Sequence, residues 1–467
     1  MAAIVTLAPV LIDATDFSQH FVSQPGRLTM GPYPLGADLL LVLIGQGITP
    51  PLTGMLPINV FRSSDRAATW AQKDAANTPY DYPGFPLAFY RAGAISVLYA
   101  PPLGGGGSTT LRQIITHNGT VWGPPTATID LGFTEPSPSF GGVFYQQSTG
   151  QYVNIYQNGV GSNNVQILSN LAGAWTGPAL FFNTAAGSAP PAVAVAVDNT
   201  DAAHLFYSQN PQNTLYYRRV SPALVAGGQV SIGGWYNGDP TVGSNGTSAI
   251  IWNSQVAVAY RNGRTADPQT ISVSIGTPLS GPAFTPYVVR SLPAPFGTNF
   301  GYLSDPTLAI GIDGKLNAFW VESDGLGTVQ QIWQSTFDGV ATWGAPTLFY
   351  DEILNPPANS VAQASQQISH IEATQLTNGQ WIIPASMLIT VPAGQVNAQF
   401  ALIGPAGAAP LINPGPGGRK PAPPVPNQFD FCLHREYRLY CSLDIAMITC
   451  GSIPACFSVD ERDWAAG

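Results

Sequence analysis

The sequence predicts an all-β protein whose residues 1–403 form one closed β-propeller of seven blades. Three observations predict it. Strand-sized apolar runs alternate with turn residues along the chain. A unit of about fifty residues recurs, marked by tryptophan, and that length suits a blade and is too long for one solenoid coil. No long stretch carries a helical period of 3.6, and the 50 Gly and 43 Pro among 467 residues would interrupt one.

An opening blade runs from about Leu39 to Phe61. Paired strands follow at Leu87 to Tyr90 with Ile95 to Tyr99, Gly142 to Tyr145 with Tyr152 to Tyr156, and Ala192 to Val197 with Ala203 to Tyr207. Then come Ser248 to Trp252 with Gln255 to Tyr260, Leu308 to Ile312 with Leu316 to Val321, and Ile371 to Leu376 with Trp381 to Leu388. The tryptophans keep the period: Trp70 to Trp122 is 52 positions, Trp122 to Trp175 is 53, and Trp175 to Trp343 is 168, or three periods of 56. Two less regular blades, near Val230 and Pro282, fill that gap.

The last blade lacks a convincing fourth strand after Gln399 to Ile403, whereas Val5 to Ile12 reads like the outer strands Pro178 to Phe182 and Pro346 to Tyr350. The amino-terminal strand is therefore expected to complete blade seven, which would couple the chain ends and remove an exposed edge. Residues 404–428 form a linker rich in Pro and Gly. Residues 429–467 form a small module holding all four cysteines, Cys432, Cys441, Cys450 and Cys456. Two disulfides would staple a segment too small to bury a core. Zinc is the competing reading, weakened by the lack of a C-x-x-C knuckle, and no metal site is assigned.

Composition excludes several function classes. Only 3 of the 17 basic residues are lysine and the net charge is −9, so no surface is built to grip nucleic acid. Apolar runs such as Leu39 to Ile44 are far shorter than a membrane-spanning helix needs. Asp13 and Asp16 close behind the first apolar residues, with no basic residue before them, argue against a Sec signal peptide. No phosphate loop or cofactor motif is present, and no cofactor is expected.

In Phe61-Arg-Ser-Ser-Asp-Arg-Ala-Ala-Thr-Trp70, Ser63, Asp65, Thr69 and Trp70 fall at fixed steps. A degenerate copy follows at Ser335-Thr-Phe-Asp338-Gly-Val-Ala-Thr342-Trp343, with one extra residue. The segment resembles the Asp-box of sialidase-like propellers, with Ala67 where that family usually has Gly. The resemblance implies fold: the Asp accepts bonds from turn amides and the Trp packs between blades. Sialidase chemistry would require an arginine triad, an Arg-Ile-Pro sequence, a Tyr and Glu pair and an acid Asp. Neither Arg27 nor Arg62 stands in Arg-Ile-Pro, and no catalytic residue is assigned.

The starts of innermost strands face a propeller's channel. Glu135-Pro, Asp239-Pro and Asp305-Pro lie there, with His370 near the comparable place in blade seven. Converging carboxylates can hold a cation or sugar hydroxyls; the plainer reading is that acid-Pro pairs begin a strand by fixing a turn. Tyr216, Tyr217 and Arg218, Trp235-Tyr236, and Tyr80-Asp-Tyr82 offer aromatic platforms for sugar rings or simply pack between blades. Asn118-Gly-Thr and Asn245-Gly-Thr match the glycosylation sequon.

The expected function is a non-enzymatic propeller displayed on a virus particle, as a phage fibre, collar or decoration protein at the virion surface. Its partners would be surface glycans, and virion proteins or a second copy through the cysteine module. A free soluble lectin and a sialidase-like glycoside hydrolase are the alternatives.

Overall fold

The computed structural model describes residues 9–13, 29–35, 38–44, 56–80, 87–91, 94–99, 111–130, 141–157, 164–184, 193–209, 214–234, 247–262, 269–292, 303–323, 330–352, 354–356, 372–392, 394–404, 428–430 and 458–460. The chain divides into two compact units, Met1–Leu411 and Ile412–Gly467. Among the described residues every regular element is a strand, and no helix is long and apolar enough to cross a membrane.

The strands of the first unit form seven four-stranded sheets, antiparallel throughout. β1 (Val10–Asp13) precedes sheet one, which holds β2 (Thr29–Leu35), β3 (Asp38–Ile44), β4 (Leu56–Ser63) and β5 (Ala71–Tyr80). Sheet two holds β6 (Leu87–Arg91), β7 (Ala94–Tyr99), β8 (Leu111–His117) and β9 (Ile129–Asp130). Sheet three holds β10 (Gly141–Gln146), β11 (Gln151–Gln157), β12 (Asn164–Leu171) and β13 (Ala174–Asn183). Sheet four holds β14 (Val193–Val197), β15 (Ala203–Gln209), β16 (Thr214–Val220) and β17 (Val230–Gly234). Sheet five holds β18 (Thr247–Trp252), β19 (Gln255–Asn262), β20 (Gln269–Thr277) and β21 (Ala283–Leu292). Sheet six holds β22 (Leu303–Ile310), β23 (Leu316–Ser323), β24 (Gln330–Thr336) and β25 (Thr347–Asp351). Sheet seven joins β26 (Thr374–Gln375), β27 (Trp381–Val391) and β28 (Gly394–Ile403) to β1, which pairs with β28 through Val10↔Ala401 and Leu11↔Phe400.

Sheets four to seven pack on both faces, which explains why their second strands read as continuous apolar runs rather than as an alternation. In β19, Val256, Val258 and Tyr260 join Phe206 and Tyr217 of sheet four. Ala257 and Ala259 point the other way, toward Leu316 and Trp320 of sheet six. Similar cores join sheet three to four, through Phe144, Val153, Leu205 and Tyr207, and sheet six to seven, through Phe319, Ile383 and Phe400. Ile12, Ile382 and Ala401 of sheet seven pack with Phe61 and Ala67 of sheet one. First strands follow the same order: β6, β10, β14, β18, β22 and β26 neighbour one another in turn, and β2 lies against β26 and β27.

Six of the outer strands carry a bulge where they pair with the third strand. The ladder skips Ile12, Lys73, Phe181, Ile232, Val289 and Phe349 in sheets seven, one, three, four, five and six. A bulge strengthens the local twist and re-aims its residue. Thus Ile12 and Val289 are buried in the cores between sheets. β1 shares this device with the other outer strands, so the amino-terminal segment has the local structure of a fourth strand.

Two boundaries differ from the sequence reading. β22 begins at Leu303, so Asp305 and Pro306 lie inside the strand, in the irregularity between Ser304↔Val321 and Thr307↔Phe319. A bulge accommodates a residue that cannot donate to the ladder. β26 spans only Thr374–Gln375, much less than the strand expected from Ile371 to Leu376.

In the second unit β29 (Gln428–Asp430) pairs with β30 (Ser458–Asp460). Cys432, Cys441, Cys450, Cys456 and the linker from 405 to 427 lie outside the described residues.

Candidate functional site

Several turns between third and fourth strands are built by acidic or amide side chains. Asp65 accepts Thr69 N at 2.8 Å, the Thr69 hydroxyl and the Ser63 hydroxyl, while Ser63 Oγ accepts Ala67 N at 2.8 Å. Asp338 Oδ1 accepts the backbone N–H of Val340, Ala341 and Thr342 at 2.8, 2.9 and 3.0 Å, and Oδ2 accepts the Thr342 hydroxyl. The bonds from Thr69 and Thr342 hold these carboxyls below the ordinary carboxylate range. Trp70 and Trp343 leave the turns to pack on the cores between sheets. Asn118 does the same work as Asp338, accepting Thr120 N and Val121 N at 2.9 Å, so this sequon is a turn residue in the structure.

Of the axial candidates, Glu135, Asp239 and His370 lie outside the described residues, as does Trp235. Asp305 is placed by its backbone at the leading end of β22. Among the described residues no group of three His, Cys, Asp or Glu side chains is placed to hold a metal.

The same end of sheet six carries a buried polar layer that sequence reasoning missed. Arg290 of β21 donates through Nε to Glu322 Oε1 at 2.7 Å and through Nη2 to Oε2 at 3.0 Å. Trp320 Nε1 donates to Glu322 Oε1 at 2.9 Å, and the guanidinium carbon lies 5.6 Å from the Trp333 ring centroid. Trp333 Nε1 donates to Gln331 Oε1 at 3.2 Å, and Gln331 Nε2 to Asp351 Oδ2 at 2.6 Å. Arg290 is 8% exposed and Glu322 4%. The pair satisfies itself, so it ties sheet five to sheet six rather than offering groups to a ligand.

Tyr217 is 2% exposed and belongs to the core between sheets four and five. Its hydroxyl meets His204 Nδ1 at 2.9 Å, and His204 Nε2 meets Asp198 Oδ2 at 3.3 Å. Burial pushes the His204 imidazole down, which the neighbouring Asp198 only partly opposes, and burial pushes the Tyr217 phenol up. A neutral His204 that donates from Nε2 to Asp198 and accepts from Tyr217 at Nδ1 satisfies all three groups. Burial also pushes Asp198 up, but the Thr200 hydroxyl and N–H and the Ala202 N–H outweigh it, so the carboxylate stays ionised. Tyr217 therefore presents no face to a ligand.

Tyr216 and Arg218 point to the other side of β16, toward sheet three, where Tyr216 and Phe182 pack as partly buried rings on the core between sheets three and four. Arg218 lies over the Phe182 ring of β13, 4.6 Å from its centroid. It donates from Nε to Tyr207 Oη at 2.8 Å, from Nη1 to Gly227 O at 2.7 Å and from Nη2 to Gln229 Oε1 at 3.2 Å. Tyr207 also donates to Gln229 Oε1, at 3.0 Å. Tyr216 lies against Tyr207 at 6.0 Å between centroids, and Phe182 against Tyr207 at 5.3 Å. Tyr216, Phe182 and Arg218 are each partly exposed. The structure thus brings together two of the expected ligand-binding residues, Tyr216 and Arg218, with Phe182, Tyr207 and Gln229, which the sequence did not mark. The group joins partly exposed rings to a donor fork, the combination that orients a polyol.

No protein-family model matches the chain, and no curated protein matches it. Solved structures do match. An alpha-L-arabinanase of Penicillium chrysogenum complexed with arabinobiose is 12% identical, covering 85% of this chain and 98% of its own, with a TM-score of 0.44. A polysaccharide lyase of family PL25, an ulvan lyase, is 9% identical over 85% of this chain and 95% of its own, with a TM-score of 0.49. The Aleuria aurantia lectin, in complex with a fucosylated GlcNAc, is 14% identical over 66% of this chain and 91% of its own, with a TM-score of 0.39.

Proposed function

We propose that the chain is a closed seven-bladed β-propeller that binds glycans without transforming them, carried on a virus particle through its cysteine-containing carboxy-terminal module. The ring reading is supported by the core that joins sheet seven to sheet one and by β1 as the fourth strand of sheet seven. In this reading the Asp65 and Asp338 turns are Asp-boxes, structural elements that hold third and fourth strands together. The glycan reading rests on one observation: Tyr216, Phe182 and Arg218 lie together, each partly exposed, with the guanidinium stacked on the Phe182 ring. Sugar rings stack on such faces while planar donors fix their oxygens. The particle setting is supported by composition, since 9% charged residues and a net charge of −9 suit neither nucleic-acid binding nor a basic docking patch.

The test is a glycan-array screen of the full chain beside Tyr216→Ala. We expect wild-type binding to a restricted glycan class and about tenfold weaker binding by the variant, the effect of losing roughly 1.4 kcal/mol of ring contact. Absence of binding to every glycan, or binding that Tyr216→Ala leaves unchanged, would sink the proposal.

A further inference from the structure

The sheets serve as one another's internal standard for reading Arg218. Counting three residues on from the one that precedes the outer-strand bulge, the third strand holds Ser63, Leu168, Arg218, Ser274, Ser335 and Leu402 in sheets one, three, four, five, six and seven. Small or apolar residues fill this place in five of these six sheets, and only the fourth carries a charge there. The local task there is visible in sheet six, where Ser335 Oγ donates to Gly344 O at 2.7 Å, and Gly344 N returns to Thr336 O. Sheet four repeats the arrangement, with Arg218 Nη1 on Gly227 O and Gly227 N on Arg219 O. A serine hydroxyl suffices for this bond, so the guanidinium brings chemistry that the turn does not require.

Among the described residues three of its five N–H groups find acceptors, on Tyr207, Gly227 and Gln229. Among the described residues no carboxylate pairs with Arg218, although the chain carries nine more acidic than basic residues and gives Arg290 a dedicated glutamate. A partly buried cation fixed in orientation, stacked on a ring and left without a counter-charge is a receptor for an oxyanion.

Resting on the glycan-binding reading, we propose that Arg218 and Tyr216 together select a glycan bearing an oxyanion, either a uronic carboxylate or a sulfate ester, held by Arg218 while the exposed part of Tyr216 meets the sugar ring. Neutral sugars of equal size bind more weakly because they leave the cation unpaired.

The experiment is isothermal titration of the full chain with three probes: an oligogalacturonate, a sulfated galactan oligosaccharide and a neutral galactan oligosaccharide. Each is repeated with Arg218→Ser, the residue that sheets one, five and six carry at this place and which retains a hydroxyl for Gly227 O. A thermal melt confirms that the variant folds, and Arg218→Gln serves if it does not. The expected result is binding of at least one anionic probe at least tenfold tighter than the neutral one, with that preference lost in the variant and weakened by added salt. Which anionic probe wins decides between carboxylate and sulfate. Equal binding of neutral and anionic probes, or a preference that survives Arg218→Ser, overturns this inference and leaves the glycan reading standing. No binding of any probe, with the glycan array also blank, overturns both.

Discussion

Replacing Glu322 by glutamine removes one charge from a pair that is almost wholly buried and leaves its shape unchanged. The carboxylate accepts two bonds from Arg290 and one from Trp320, all between 2.7 and 3.0 Å. A glutamine has a single acceptor oxygen and turns an amide toward a guanidinium that cannot lose its proton. The Arg290 cation then stays buried between sheets five and six without its counter-ion, a state that costs about 3–5 kcal/mol. Removing both charges is gentler. In Arg290→Met/Glu322→Leu no ion is left to desolvate and the new side chains pack among Trp320, Trp333 and Leu303, so the double variant loses no more than about 1–2 kcal/mol. Urea unfolding at pH 7, followed by tryptophan fluorescence, measures both differences. A loss below about 1 kcal/mol for Glu322→Gln, or a double variant as unstable as the single one, would show that the uncompensated charge is not what the glutamate prevents.

Three further outcomes follow from the same geometry. Burial holds His204 neutral with its folded pKa below the ordinary 6.5, so the unfolded chain takes up more protons as pH drops below that value. Its stabilising contribution is complete above about pH 6.5 and is lost as pH falls through the folded pKa; His204→Gln flattens this slope in melting curves taken between about pH 7 and 5. Ile12→Ala removes a buried side chain from the core joining sheet seven to sheet one and costs about 2–4 kcal/mol in urea unfolding, whereas Leu11→Ala, at a position 47% exposed on the same strand, changes stability little. Native mass spectrometry of the full chain shows covalent oligomers that collapse to monomers on reduction if the carboxy-terminal cysteines join copies on a particle; monomers in both conditions point to a free lectin.

The hairpins were legible because each needs only local information. Leu87–Arg91 with Ala94–Tyr99, or Thr247–Trp252 with Gln255–Asn262, is an apolar run, a turn and a second run, and both appear where the sequence put them. The amino-terminal strand was legible by subtraction, since the last repeat lacked a fourth strand. What failed was local in another way: Asp305-Pro306 reads as a turn that starts a strand, yet a bulge absorbs it two residues inside β22. The Arg290–Glu322 pair was invisible because its partners are 32 positions apart on different sheets, and nothing short-range links them. The Tyr216-Tyr217-Arg218 run shows both the reach and the limit of the sequence. Alternation along a strand sends Tyr216 and Arg218 to one face and Tyr217 to the other. How deeply each face is buried depended on the neighbouring sheets: Phe284 and Tyr260 bury Tyr217 fully, while sheet three leaves Tyr216 partly exposed, which spacing within β16 does not reveal.

Where a sugar sits decides the function. A crystal structure of the full chain soaked with the tightest-binding oligosaccharide from the array measures this directly. The expected density is a sugar ring against Tyr216 with its oxyanion within hydrogen-bond distance of Arg218, between sheets three and four. A sugar bound instead among Glu135, Asp239, Asp305 and His370 would contradict it and move the binding site to the channel.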